Sequence, residues 1–309
     1  MCKRDLIVIG GPTASGKTDV SVELAKRISG EIISADSIQV YMHMNIGSAK
    51  VSNKEMKGVF HYLIDEIAPD EEFNIAIFKQ KAEHYIEKIY TKDKIPIIVG
   101  GTGFYVQSVL KDVEFAEMES DYELRRKLEN EAKTQGNEYV HDMLKQIDEV
   151  SARNIHPNNL KRVIRAIEYY KITGQPISIH NEKEKTKVDI YNTKYFVLNM
   201  DRETLYDRIN RRVDIMMSNG LIDEVKMLLN MGYHENLTSM QGIGYKEVVD
   251  YIKGNISFEI MVSTIKQNTR NFAKRQLTWY KNQTNAIWID VDKLGFDTEK
   301  IMNEMLKRM

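Results

Sequence analysis

The stretch Gly11-Pro12-Thr13-Ala14-Ser15-Gly16-Lys17-Thr18 constrains the chain most. It fits G-x-x-x-x-G-K-[ST], the pattern of a phosphate-binding loop. Leu6, Ile7, Val8 and Ile9 precede it as a short apolar run, the mark of a buried strand. Val20, Val22, Leu24, Ala25 and Ile28 follow at spacings that a helix gathers on one side. The glycines let successive N–H groups turn toward one anion, beside the partial positive charge of a helix N-terminus. In such a loop Lys17 reaches the distal phosphate and the Thr18 hydroxyl ligates Mg²⁺. The pattern specifies a di- or triphosphate without saying which.

The next segments predict an α/β fold, a parallel sheet of the phosphate-loop type. Glu31-Ile32-Ile33-Ser34 reads as a second strand running into Asp36-Ser37-Ile38-Gln39-Val40-Tyr41. Ligands of open parallel sheets sit beyond the carboxyl ends of strands. Asp36 is therefore expected near the phosphate loop, where a general base is useful; the alternative is a carboxylate capping the next turn. Tyr62-Leu63-Ile64 reads as a third strand and Phe73 to Tyr90 as an amphipathic helix. Ile95-Pro96-Ile97-Ile98-Val99 reads as a further strand, running into Gly100-Gly101-Thr102-Gly103-Phe104-Tyr105. Many phosphate-loop proteins end such a strand in a metal-holding Asp. Here glycines stand instead, either admitting a flat substrate closely or making a tight strand-to-helix turn.

At 309 residues there is room for about two domains. Alternation of strand and helix stops near Val113, which predicts a core over 1–112 and 191–309 and a helical insertion over 113–190. The net charge is −1, so affinity for polyanions has to be sought segment by segment. One basic stretch is Lys161-Arg162-Val163-Ile164-Arg165, on a helix running to about Tyr170 and closed by Gly174-Gln175-Pro176. His180 to Lys187 reads as an exposed connection. Tyr195 to Leu198 reads as a return strand, and Arg202 to Met217 as a helix carrying Arg208, Arg211 and Arg212 against Asp207 and Asp214. Leu221 to Met231 reads as another helix, and Gln241-Gly242-Ile243-Gly244-Tyr245-Lys246 as a loop opening a further one. Lys266, Arg270, Lys274, Arg275 and Lys281 follow with no acid between them, and Trp279 and Tyr280 sit among them. A basic face with aromatics suits a phosphate backbone and unstacked bases; the alternative is pairing with acids elsewhere. Ala286 to Ile289 reads as an edge strand. The single cysteine, Cys2, excludes an internal disulfide and a cysteine-based zinc site, and suits a reducing cytoplasm. No run is long enough for a signal-peptide core or a membrane span. Met216, Met217, Met227 and Met231, at helical spacings, read as core filler.

Taken in order, these segments resemble one family, the tRNA dimethylallyltransferases of bacterial type. The resemblance runs from Leu6 to about Trp279. It rests on the loop at 11–18, Asp36 to Tyr41, Gly100 to Tyr105, Lys161 to Glu168, Arg212-Val213-Asp214, Gly242 to Glu247 and Lys274 to Trp279. Asn45, Ser48, Tyr62, Glu149 and Asn159 depart from the family's usual residues. The resemblance implies transfer of a dimethylallyl group from dimethylallyl diphosphate to N6 of the adenosine 3′ of the anticodon in tRNA. It assigns catalysis to Asp36 as base, Thr13 near the bridging oxygen and Arg212 as diphosphate clamp, with Gly11 to Thr18 binding the diphosphate and Mg²⁺. It assigns tRNA contact to Asp36, Ser37, Ile38, Gln39, Thr102, Lys161 to Arg165 (Val163 and Ile164 included), Gln241, Gly242, Ile243, Gly244, Tyr245, Lys246, Lys274 and Arg275. A cytoplasmic monomer is expected. One rival is a small-molecule kinase binding ATP at the same loop, with Asp36 activating a hydroxyl. Another, a GTPase-like module, requires an Asn-Lys-x-Asp that the sequence lacks.

Overall fold

A computed structural model describes residues 3–115 and 121–309, so Cys2 lies outside the described residues. The chain forms two compact units, one of residues 1–110 with 189–309, the other Lys111–Val188. In the first unit the order is β1 (Asp5–Gly10), α1 (Lys17–Arg27), β2 (Gly30–Ser34), α2 (Asn53–Met56), β3 (His61–Tyr62), α3 (Ile75–Tyr90), β4 (Ile95–Val99) and α4 (Gly103–Leu110). The second unit holds α5 (Tyr122–Gln135), α6 (Asn137–Ile147), α7 (Glu149–Asn154), α8 (Leu160–Thr173) and α9 (Ile177–Thr186). The first unit resumes with β5 (Asn192–Asn199), α10 (Arg202–Ser218), α11 (Leu221–Asn230), α12 (Tyr245–Ile252), α13 (Phe258–Gln283), β6 (Ile287–Asp290) and α14 (Thr298–Leu306).

The six strands form one sheet in the order β3-β2-β4-β1-β5-β6, every pairing parallel. Both faces are covered, which is why β1 is apolar at successive positions instead of alternating. Leu6 and Val8 enter one core with Phe78, Ile98 and Tyr245; Ile7 and Ile9 enter the other with Leu24, Phe196 and Ile301. Each such side chain contributes about 1.5–3 kcal/mol by leaving water. The order also places the carboxyl ends of β1, β4 and β2 side by side. The second unit has its own core of Leu128, Val140, Leu144, Val163, Ile164 and Ile167.

Several expectations need correction. The third strand stops at Tyr62, because Leu63 and Asp65 turn into the left-handed region while the Leu63 N–H donates to the Glu66 carboxylate at 2.6 Å. His180 to Lys187 is largely exposed, but most of it is helical, in α9, and its Glu184 is buried and accepts the Glu114 N–H at 3.1 Å. Met227 and Met231 are exposed, so only Met216 and Met217 of that set pack against the core. The basic helix begins earlier than the charge pattern suggests, at Phe258, where Ser257 accepts the Ile260 N–H at 3.3 Å. Among the described residues no helix is long and apolar enough to cross a membrane.

Candidate active site

The phosphate loop joins β1 to α1. Gly16 occupies the N-cap of α1 with φ 87°, a left-handed position that glycine takes without strain, and no side chain caps the helix there. The first amides of α1 therefore have no side-chain acceptor, which suits them to an anion. Gly11 is needed for space as well as for its φ of 145°, since a Cβ there would lie 2.8 Å from the Leu198 carbonyl oxygen.

Three side chains from distant parts of the chain hold the loop. Gln276 on α13 accepts the Thr13 N–H at 3.0 Å. Arg212 on α10 donates to the Thr13 hydroxyl at 3.2 Å. Arg208, one turn earlier on α10, donates through Nε to the Ala14 carbonyl at 2.9 Å, with its guanidinium 4.7 Å from the centre of the Phe296 ring. Ala14 itself is left-handed, with φ 64°. The Lys17 ammonium donates to the Gly11 and Pro12 carbonyls at 3.0 and 2.7 Å.

Electrostatically this end of the sheet is short of negative charge. Burial pushes the Lys17 ammonium down to about 7, Arg212 adding to the effect and Asp36 opposing it. Burial, then the charge of Arg208, also lowers Arg212, against Glu55 and Asp36. Desolvated cations this close together favour occupation by an anion.

Asp36 follows β2. Its Oδ1 accepts the Ile38 and Gln39 N–H groups at 2.9 and 3.3 Å, so the carboxylate does cap its turn. Among the described residues Oδ2 accepts no hydrogen bond, and capping and base chemistry are compatible. The β4 turn lies between this loop and β1, the Gly100 N–H donating to the Ile9 carbonyl at 3.2 Å. Ala35 N–H donates to the Val99 carbonyl at 2.8 Å, and Thr102 N–H to the Ala35 carbonyl at 3.3 Å. The glycines of that turn make room for the protein itself. A Cβ on Gly100 would lie 2.2 Å from the Ala35 carbonyl oxygen, on Gly101 2.1 Å from Gln276 Nε2, and on Gly103 2.1 Å from the Trp279 ring.

The loop after Asp36 is anchored by Glu224, a buried carboxylate on α11 that the motifs do not mark. It accepts the N–H groups of Asn45, Ile46 and Gly47 at 2.7–3.1 Å, and the Tyr245 hydroxyl at 2.8 Å. Gln39 spends its amide on the Ser48 and Ala49 carbonyls, both at 3.3 Å. Gly242 comes against Ile38: a Cβ there would lie 3.3 Å from Ile38 Cδ1. Thr13, Asp36, Arg212 and the loops carrying Thr102 and Gly242 thus belong to one end of one unit. Ser37 and Thr102 are half-buried, Ile243 packs against the core, and Gln241 and Lys246 are exposed.

Some expected RNA contacts fail on burial. Tyr245 is fully buried, and Gly244, also buried, donates its N–H to Glu247 at 2.7 Å. Val163 and Ile164 lie inside the core of the second unit. Arg165 pairs with Glu168 at 2.8 Å, while Lys161 and Arg162 are exposed. On α13, Lys266 pairs with Asp214 at 2.6 Å and Arg270 donates to Asn210 at 2.6 Å, whereas Lys274, Arg275 and Lys281 are exposed. Tyr280 is buried, with its hydroxyl donating to the Gly100 carbonyl at 3.1 Å, and Trp279 packs on Gly103. Tyr280 thus fastens the helix to the sheet and is not free to stack on bases, whereas Trp279 is half-buried.

A parallel sheet with a glycine loop before a helix, desolvated cations at that loop and a carboxylate two strands away defines a phosphate-loop group-transfer protein. Comparison with known proteins narrows this. The model of the IPP transferase family matches residues 39–283, and the chain belongs to that family. It is 54% identical over 302 residues to the tRNA dimethylallyltransferase of Lachnoclostridium phytofermentans, covering 98% of this chain and 96% of that one. A crystal structure of tRNA delta(2)-isopentenylpyrophosphate transferase from Staphylococcus epidermidis superposes with a TM-score of 0.73 at 46% identity, over 99% of both chains. A eukaryotic dimethylallyltransferase acting on tRNA gives 0.76 at 28% identity, over 93% of this chain and 74% of that one. These relatives do not favour the kinase reading.

Proposed function

We propose that the protein transfers a dimethylallyl group from dimethylallyl diphosphate to N6 of the adenosine 3′ of the anticodon in tRNA. The observation that carries this reading is the juxtaposition of Thr13, Arg212 and Lys17 with Asp36, beyond the ends of β1 and β2 on either side of β4, in a chain of this family. The allylic C–O bond breaks and its electron pair leaves with the diphosphate. The amides of the loop, Lys17 and Arg212 stabilise that growing negative charge. Thr13 donates near the bridging oxygen. The N6 lone pair forms the new C–N bond, and the N6 proton passes to the open oxygen of Asp36.

Among the described residues no group of three His, Cys, Asp or Glu side chains could hold a metal. A Mg²⁺ ion takes one or two protein ligands and draws the rest from phosphate oxygens and water, which fits a site offering the Thr18 hydroxyl. When bound it supplies further neutralisation of the diphosphate.

The target base has to leave the anticodon-loop stack to reach the donor. Asp36 to Gln39 and Thr102 hold it. Lys161 and Arg162, Gln241 to Lys246 through their exposed members, and Lys274 and Arg275 meet phosphates of the anticodon stem-loop. The protein acts as a cytoplasmic monomer. The test is incubation with Mg²⁺, dimethylallyl diphosphate and unmodified tRNA without ATP, followed by nuclease digestion and mass spectrometry. An adenosine heavier by one isopentenyl group is expected. Unmodified tRNA alongside ATP turnover would return the kinase reading.

A further inference from the structure

The direction of the Thr13 hydroxyl depends on what holds its peptide. Thr13 lies between Pro12, which has no N–H, and Ala14, whose left-handed φ of 64° is costly for a residue with a Cβ. Such a segment keeps its shape only if its surroundings hold it. The main-chain hold comes from Gln276. This side chain is 6% exposed and spans two loops, accepting the Thr13 N–H through Oε1 at 3.0 Å and donating through Nε2 to the Gly101 carbonyl at 3.0 Å. Only one orientation of the amide satisfies both, because Thr13 N–H can only donate and the Gly101 carbonyl can only accept. The side-chain hold comes from Arg212 at 3.2 Å.

Two further features fit this pairing. Gly101 is the residue that lets Gln276 in, since a Cβ there would lie 2.1 Å from Nε2. Tyr280, one turn after Gln276, donates to the Gly100 carbonyl at 3.1 Å, so α13 presents both side chains to the same pair of loops. The Thr13 N–H, spent on Gln276, is not among the loop's anion donors. What Gln276 fixes is the direction of the Thr13 side chain.

We propose that Gln276 is a positioning residue of the transfer reaction, acting through Thr13. It touches neither donor nor acceptor; it holds the Thr13 peptide so that the hydroxyl meets the departing oxygen. This rests on the proposed role of Thr13. A misplacement of about 1 Å at a reacting group can cost on the order of 10²-fold in rate. Gln276→Met, which keeps the length of the side chain and removes both hydrogen bonds, is expected to lower kcat by about 10- to 100-fold with tRNA affinity nearly unchanged.

The deciding experiment is a double-mutant cycle of Gln276→Met and Thr13→Ala, measuring kcat and KM for dimethylallyl diphosphate at saturating tRNA. If Gln276 acts through Thr13, adding Gln276→Met to Thr13→Ala changes kcat less than about threefold, well short of its effect alone. Effects that multiply overturn the proposal, as does a kcat of Gln276→Met equal to that of the wild type. Gly101→Ala displaces Gln276 from the other side and is expected to reproduce the same cycle, so the test stands if Gln276→Met fails to fold. The wild type is the control for the transferase reading: absence of transfer there defeats that reading, whereas transfer with multiplying effects defeats only the role of Gln276.

Discussion

The phosphate loop and the basic helices carry the same residue types to opposite ends. At the loop, Lys17 donates to main-chain carbonyls and Arg212 to a hydroxyl. In the second unit, Arg125 forms a fork of two 2.8 Å bonds to Glu168, and Arg165 adds a third. Burial raises the Glu168 carboxyl, yet its two arginines bring it below the usual range. A cation count cannot separate the two cases. The carboxylate that arrives from a distant segment decides whether a cation stabilises the fold or waits for a ligand.

The largest expected effect lies at the loop end. Asp36→Asn, which keeps an oxygen for the Ile38 and Gln39 amides, should lower turnover at saturating tRNA by about 10²–10⁴ if Asp36 is the base. Single-turnover assays at saturating tRNA would check it, and near wild-type rates would leave Asp36 only its turn-capping role.

Next comes the paired carboxylate. Glu168→Gln leaves two partly exposed arginines facing a neutral amide and should destabilise the second unit by about 1–2 kcal/mol. Because the folded carboxyl is held below its ordinary 4.5, its contribution is fully present above that pH and is lost as pH falls through the lowered value. Urea melts at pH 7 and pH 3 would show a difference between wild type and Glu168→Gln that shrinks at the lower pH.

The smallest effects separate free from paired surface cations. Lys161→Gln with Arg162→Gln should weaken tRNA binding and reduce the slope of log affinity against log salt, by roughly 0.7–0.9 per lost phosphate contact. Lys266→Gln, which removes the partner of Asp214, should leave that slope unchanged and cost at most about 1 kcal/mol of stability. Equal slopes for both variants would erase the distinction between the regions.

Local chemistry was legible in the sequence. The four-residue apolar run became β1, the glycine pattern became the loop, and the carboxylate after β2 stands at the same end of the sheet. What escaped depends on residues brought together from far along the chain. Gln276 is 263 positions from Thr13, Arg208 194 from Ala14, and Glu224 at least 177 from the amides it holds. None sits in a pattern that names its partner. Tyr280 misleads because an aromatic among cations looks the same whether it faces a nucleic acid or the underside of its own helix. The glycines at 100, 101 and 103 left substrate access and a tight turn both open, whereas they admit Ala35, Gln276 and Trp279. Met227 and Met231 share helical spacing with buried neighbours but fall on the exposed side of their helix.

A desolvated ammonium at the loop that awaits a diphosphate makes binding proton-linked, and that linkage is the most direct test of the site. With Lys17 lowered to about 7 in the free protein, most of the population is neutral at pH 8. An incoming diphosphate favours the charged form, raising that value, so binding must take up protons and weaken as pH climbs above 7. Calorimetric titration with dimethylallyl diphosphate at pH 8, without tRNA and in two buffers of different ionisation enthalpy, reads the uptake. The expected result is a fractional proton taken up by the wild type and none by Lys17→Met. Binding with no buffer dependence in the wild type, or uptake that survives Lys17→Met, would contradict it.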